Sequence, residues 1–310
     1  MAESSIVVRL VCDAGAAIGE SPAWQLDHPG ARSSQRPESH DSLATADVGS
    51  VWWTDPVSRR LLHWIDGHTV RQAGAVANGY LESIAMPSAL WSLATLPDET
   101  LAGALDDRFC SISPGGEVTA GPAATIDLGC RFNDMTIDAN GGLWVGMMHR
   151  GILATRGALF YAPSLHEAPK RVASGLGVPN GMKLSADGRT LFVVDTLERT
   201  LLAYPVDADT LGEPVILSDF LGLAGKPDGM TLAPDGTFWV AMWGGSSVVQ
   251  LARDGAYLRQ IDVPAPHISS VCFAGPNRLL VTTSRMRLSP QALLNHPGSG
   301  ALFEILLERP

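Results

Sequence analysis

One short cassette returns along this chain, and its period constrains the fold more than any other feature. Three copies read Asn133-Asp-Met-Thr-Ile-Asp-Ala-Asn-Gly141, Asn180-Gly-Met-Lys-Leu-Ser-Ala-Asp-Gly188 and Asp228-Gly-Met-Thr-Leu-Ala-Pro-Asp-Gly236. Each opens on Asn or Asp, runs through a short apolar stretch and ends in an Asn-Gly or Asp-Gly turn. A second apolar run follows: Leu143-Trp-Val-Gly146, Leu191-Phe-Val-Val194 or Phe238-Trp-Val-Ala241. Weaker copies begin at Glu20, Leu93 and Val271. The second runs anchor at Trp52, Leu101, Trp144, Phe192, Trp239 and Leu280, spaced 41 to 49 residues apart. That is the length of one four-stranded propeller blade, about 40 to 50 residues.

The local pattern is β. Apolar runs are short and bounded by turn formers, and 32 Gly and 21 Pro supply the breaks. No long segment keeps a helical period, so the eight helices of a TIM barrel are missing. The expected fold is all-β, a six-bladed β-propeller with four-stranded blades, formed by residues 1–310 as one domain. Both ends are strand-like, Ile6–Val11 and Ala301–Leu306, so one end can complete the blade begun by the other. Residues 28–50 are polar and rich in turn formers, and read as a loop insertion in blade one.

The bulk properties narrow the partners. The formal charge is −10 and no basic run occurs, which argues against nucleic acid. No stretch reaches the apolar length of a membrane span. The first residues lack the basic and apolar regions of a signal peptide, so a cytoplasmic setting is expected. The four cysteines are widely spaced and form no CxxC pair, so they read as small core residues rather than zinc ligands. No obligate protein partner is indicated.

Glu20, Asn133, Asn180 and Asp228 share one register, seven residues before a turn position. If that register starts the innermost strand of each blade, the four side chains converge on one mouth of the central channel. Their oxygens suit a hard divalent cation such as calcium or magnesium, with manganese as an alternative. A plainer reading stays open, because Asn180-Gly181 and Asp228-Gly229 are turn dipeptides in their own right. Asn140, Asp187 and Asp235 read as structural turn residues, and Trp144 and Trp239 as core between blades. His149 follows a strand of blade three, either on the surface or near the same mouth.

At these residues the sequence resembles the SMP-30/gluconolactonase/regucalcin-like family, closest to its bacterial sugar-lactone lactonases of xylonolactonase type. The motifs are Gly19-Glu-Ser-Pro22, Arg131-Phe-Asn-Asp134, Gly146-Met-Met148, Pro179-Asn-Gly181 and Pro227-Asp-Gly229, and together they span nearly the whole chain. The resemblance implies a six-bladed propeller with a central metal site. It implies one divalent cation on Glu20, Asn180 and Asp228: calcium first, then magnesium, manganese, zinc or iron(II). It implies substrate binding by Arg131 and Asn133. One departure stands out. Several members carry an acidic residue shortly after a Gly-Thr-Met motif, whereas this chain has Met147 for the Thr and then His149-Arg150-Gly151. His149 is thereby added to the substrate-binding candidates.

The expected activity is metal-dependent hydrolysis of a sugar (aldono) lactone to its hydroxy acid, with Asp228 also as the catalytic base. The alternatives are a phosphotriesterase-type or other lactone-cleaving propeller hydrolase, a strictosidine-synthase-like propeller without this metal set, and a non-catalytic calcium-binding propeller.

Overall fold

The computed structural model describes residues 6–26, 49–66, 79–113 and 115–307. In chain order its strands are β1 (Val7–Cys12), β2 (Glu20–Leu26), β3 (Gly49–Asp55), β4 (Arg60–Asp66) and β5 (Gly79–Ala85). Next come β6 (Ser92–Thr95), β7 (Leu101–Ala104), β8 (Arg108–Ile112), β9 (Val118–Ala123), β10 (Cys130–Ile137), β11 (Leu143–His149), β12 (Gly157–Ala162) and β13 (Lys170–Leu176). The second half adds β14 (Pro179–Leu184), β15 (Thr190–Asp195), β16 (Thr200–Asp207), β17 (Thr210–Leu211), β18 (Val215–Ser218), β19 (Lys226–Leu232) and β20 (Phe238–Trp243). The last are β21 (Ser247–Leu251), β22 (Tyr257–Asp262), β23 (His267–Phe273), β24 (Arg278–Ser284) and β25 (Leu302–Leu306), with the short helix α1 (Pro290–Asn295) before β25.

The cassette explains this pattern locally. Its apolar runs become adjacent antiparallel strands, as in β10–β11, β14–β15 and β19–β20. Its Asn-Gly or Asp-Gly end becomes the hairpin between them. Gly141, Gly188 and Gly236 sit at φ +87, +69 and +82, in the left-handed region that glycine enters at little cost. Residues 27–48, most of the expected insertion, lie outside the described residues, while Gly49 and Ser50 already belong to β3.

Six strands, β2, β6, β10, β14, β19 and β23, lie side by side around one axis. Each contacts the next, and β23 returns to β2. Further strands fan outward from them, giving an all-β, propeller-like ring. Hydrogen bonding corrects the expectation of six separate four-stranded sheets. There are three such sheets (β2–β5, β6–β9, β10–β13), one of five strands and one of eight. Two local causes account for the difference. The short β17 folds back on the end of β16 and adds a fifth strand. Trp243 of β20 bridges His267 of β23 as a single pair, with rings stacked 4.3 Å apart, and so joins two groups of four strands into one sheet.

The core lies between neighbouring groups of strands. Trp144, 1 % exposed, packs with Leu159 on one side and with Met182, Leu191 and Tyr204 on the other. Trp239 packs with Val248, Val271, Leu279 and Phe303. Both tryptophans are core, as the sequence indicates. The two ends meet, because β1 pairs antiparallel with β25, Val7 opposite Leu306. A buried ion network locks the junction. Glu304 is 1 % exposed; it pairs with Arg9 of β1 and with Arg278 at 2.6 Å, and Arg278 reaches Asp66 of β4 at 2.6 Å. All four cysteines are free. Among the described residues no helix is long and apolar enough to cross a membrane.

Candidate active site

Five of the six inner strands, all but β6, break their pairing at a common level. Register shifts fall between Glu20 and Ala23 in β2, Phe132 and Met135 in β10, and Asn180 and Met182 in β14. Two more fall between Pro227 and Met230 in β19 and between Ile268 and Ser270 in β23. A bulge adds one residue to one strand and re-aims the side chains beside it. The opening residues of the cassette stand at these bulges. The sequence therefore points Glu20, Asn133, Asn180 and Asp228 toward the axis by the same local distortion.

The turn reading of Asn180-Gly181 and Asp228-Gly229 is corrected here, since all four residues lie within strands. The glycines are required by close approach. A Cβ on Gly181 would lie 2.6 Å from the Asp228 carbonyl oxygen and 2.7 Å from the Met230 nitrogen. One on Gly229 would lie 2.3 Å from Ser270 Oγ. Neighbouring inner strands touch backbone to backbone, which brings Asn180 against Asp228.

Two buried carboxylates brace the chain just before the site. Asp55, at the end of β3, accepts from Ala17 N at 3.0 Å and Ile18 N at 3.3 Å, and pairs with Arg60 at 2.7 Å. Asp195, at the end of β15, accepts from Gly177 N at 2.7 Å and Val178 N at 3.0 Å. These hydrogen bonds fix the segments that enter β2 and β14, and so the approach of Glu20 and Asn180.

At the mouth itself, Asn180 Nδ2 donates to Asp228 Oδ1, and to Thr196 Oγ1 at 3.1 Å. Asp228 is 5 % exposed and Asn180 9 %. Burial raises the Asp228 carboxyl well above the usual range, and the charge of Asp134 adds to the rise. Burial raises Glu20 likewise, with Asp228 and Asp134 adding and the Arg131 guanidinium opposing. Arg131 lies flat on the Trp91 ring, 3.5 Å from its centroid. Its Nη1 donates to Asn133 Oδ1 at 2.7 Å and to the Phe132 carbonyl at 2.7 Å, and Asn133 Nδ2 donates to the Pro179 carbonyl at 3.0 Å. Burial, then the like charge of Arg150, lowers Arg131 to about 9, against the pull of Glu20 and Asp106. It remains a cation at neutral pH.

His149 ends β11, opposite Cys130 and one residue past the Arg131–Met148 pair, at the same end of the sheet. Its Nδ1 accepts from Gly151 N at 3.0 Å. The structure thus unites Asn180 and Asp228 by direct contact, and couples Glu20 to Asp228 and Arg131 to Glu20 by charge. Asn133 is tied to Arg131, and His149 is left at the periphery.

This donor set fits a hard cation. Glu20 and Asp228 are carboxylates with no ion-pair partner among the described residues, and burial first, then neighbouring carboxylates, raises both pKa values, an environment that a cation would relieve. Asn180 offers an amide oxygen beside them, so the three residues provide carboxylate and carbonyl donors. Among the described residues no group of three or more His, Cys, Asp or Glu side chains forms a metal cluster. The set here has only two such residues and relies on Asn180 for a third donor.

Several contributors escape a reading of the cassette alone. Trp91 occupies the mouth where its copy lacks a polar opener, and its Nε1 donates to Asp106 at 2.7 Å. Arg150 pairs with Asp106 at 2.8 Å and lies 5.7 Å from the Trp91 ring. Asp134 accepts from Ser92 Oγ at 2.8 Å, from Ser21 Oγ at 3.1 Å and from Met135 N at 2.8 Å, one layer deeper in the channel. Asp55 and Asp195 leave a visible trace, since each closes a second apolar run, Val51-Trp-Trp-Thr-Asp55 and Leu191-Phe-Val-Val-Asp195.

Residues 37–285 match the family model described as the SMP-30/Gluconolactonase/LRE-like region. The chain belongs to this family. A pentonolactonase of Haloferax volcanii, 28 % identical, aligns over 90 % of this chain and 86 % of its own. An L-arabinolactonase of Azospirillum brasilense, 29 % identical, aligns over 85 % of this chain and 89 % of its own. In structure, a calcium-binding protein, regucalcin, from Agrobacterium tumefaciens superposes with a TM-score of 0.79 at 26 % identity, covering 98 % of this chain and 96 % of that one.

Proposed function

We propose that this member of the SMP-30/Gluconolactonase/LRE-like family is a metal-dependent lactonase that opens a sugar (aldono) lactone to its hydroxy acid. The observation that carries this reading is the contact of Asn180 with Asp228 beside the buried Glu20 carboxyl and the Arg131 guanidinium. The family and its named lactonase relatives support the substrate class. We count the ring as six blades within one domain of residues 1–310, taking the eight-stranded sheet as two blades joined by one bridge pair.

Glu20, Asn180 and Asp228 would hold one divalent cation, calcium first among the candidates. Such a cation, when bound, supplies Lewis acidity to the lactone carbonyl and lowers the pKa of a water. Asp228 takes the proton from the attacking water on Oδ2, the oxygen that Asn180 leaves free. Arg131, held by Asn133 and Trp91, presents its remaining N–H groups to substrate oxygens and attracts the carboxylate product. His149 contributes at the rim as a substrate contact. Trp91 and the Arg131 side chain restrict water on one side of the reacting centre.

The test is hydrolysis of a panel of aldono-lactones by metal-stripped protein, with each divalent ion restored in turn and a phosphotriester assayed in parallel. The reading predicts loss on stripping, recovery by a divalent ion, and preference for the lactones. Full lactone turnover by stripped protein, or preference for the phosphotriester, contradicts it.

A further inference from the structure

One cavity lies away from the carboxylate mouth. It has a volume of about 600 Å³ and opens at the other end of the channel, where Trp24, Thr136, Lys183, Thr231, Cys272 and Phe273 are among its walls. The bulges explain why the same inner strands line both ends. In a regular strand, residues three apart face opposite sides of the sheet. In β14, however, Asn180 pairs with Val194 and Lys183 with Phe192, so the bulge returns both side chains to one face. The cassette therefore aims two polar layers at the axis. Its opening residue faces one mouth, and the residue three positions on faces the other: Thr136, Lys183 and Thr231.

Lys183 is the one charged side chain among the described residues lining the cavity. It is half-buried and makes no ion pair with a described residue, although the chain carries a formal charge of −10. Asp134 shares with Lys183 a small void of about 30 Å³ in mid-channel, but its carboxylate is already taken by Ser21, Ser92 and Met135 N. The Thr136 and Thr231 hydroxyls likewise have no described partner. Thr95, whose hydroxyl accepts from Gln25, also lines it, and Leu93, Leu232 and three prolines supply apolar surface besides the aromatic rings. An ammonium with no described ion-pair partner, beside two threonine hydroxyls and apolar side chains and with no acidic residue among the described lining, is the chemistry of a site for a small amphiphilic anion.

We propose that the far mouth of the channel is a second binding site, taking a small organic carboxylate with an apolar body whose charge is met by Lys183. This site is separate from the carboxylate mouth and does not depend on the lactonase reading.

Hexanoate is a suitable probe, followed by calorimetry and by Trp24 fluorescence. Wild-type protein should bind hexanoate at one site, and 1-hexanol, the neutral analogue, at least about tenfold more weakly, the order of one charge-assisted contact. Lys183→Met should weaken hexanoate by a similar factor, while Arg131→Gln, altered at the opposite mouth, should bind it as wild type does. The hexanol comparison needs no variant and stands even if Lys183→Met does not fold. Equal affinity for hexanol and hexanoate overturns the proposal. So does undiminished binding to Lys183→Met, loss of binding in Arg131→Gln, or no saturable binding at millimolar hexanoate.

Discussion

Asp228 carries two duties in the proposed chemistry, ligand and base, and it is the carboxylate that Asn180 contacts directly. Asp228→Asn is expected to lower lactonase kcat/KM by about 10²-fold or more, the scale of a lost acid–base group. Steady-state kinetics on a responsive lactone checks this. Arg131 sits differently, since its contacts are to Trp91, Asn133 and the backbone rather than to the carboxylates. Trp91→Ala should leave the fold intact and raise KM severalfold with a smaller change in kcat, because a cation–π contact of about 0.5–2 kcal/mol no longer holds the guanidinium. At this scale the sequence is legible where a polar residue repeats. Glu20, Asn180 and Asp228 stand out because copies elsewhere lack them. Trp91 and Asp134 do not, because their roles arise from contacts across blades, Trp91 under Arg131 and Asp134 under Ser21 and Ser92.

Five of the six inner strands, all but β6, aim side chains through a bulge. Gly181 permits the approach of β14 to β19, so Gly181→Ala should push Asp228 off the site. A stability loss of about 1–3 kcal/mol is expected from the forced contact, together with weaker divalent-cation binding. Gly188→Ala is the control: its φ of +69 costs backbone strain, but nothing lies within 4 Å, so cation binding should persist. Chemical denaturation and calorimetry separate the two. The same element logic gives a pH signature at Asp55. Burial would raise its pKa, yet hydrogen bonds from Arg60, Ser58 and Ala17 hold it below the ordinary aspartate value. A depressed carboxylate stabilises the fold above its unfolded pKa, and that stability disappears as pH falls through the folded value. Asp55→Asn should therefore flatten the fall in Tm below about pH 4, measured against wild type. The strand order and hairpins follow from the spacing of apolar runs. The bulges do not, because a register shift depends on the partner strand and leaves the apolar pattern almost unchanged.

At the scale of the whole molecule, closure decides whether the inner strands form a channel at all. The β1–β25 pairing and the Arg9–Glu304–Arg278–Asp66 network join the two ends of the chain and reach into β4. Glu304→Ala leaves two guanidinium groups short of a partner, and a loss of about 3 kcal/mol is expected, read as a shift in denaturant midpoint. The ring itself is legible from the repeat period and from the strand-like ends. The merging of two groups of strands is not, since it rests on the single Trp243–His267 pair. The central claim is that Glu20, Asn180 and Asp228 together hold one divalent cation on which lactone opening depends. The most direct measurement is a calorimetric titration of metal-stripped wild-type and Asp228→Asn protein with calcium, with lactonase activity followed in the same samples. The account predicts one site in the wild type, no measurable site in the variant, and activity that rises in step with occupancy. Calcium binding that survives in Asp228→Asn, or full activity at zero occupancy, would contradict it.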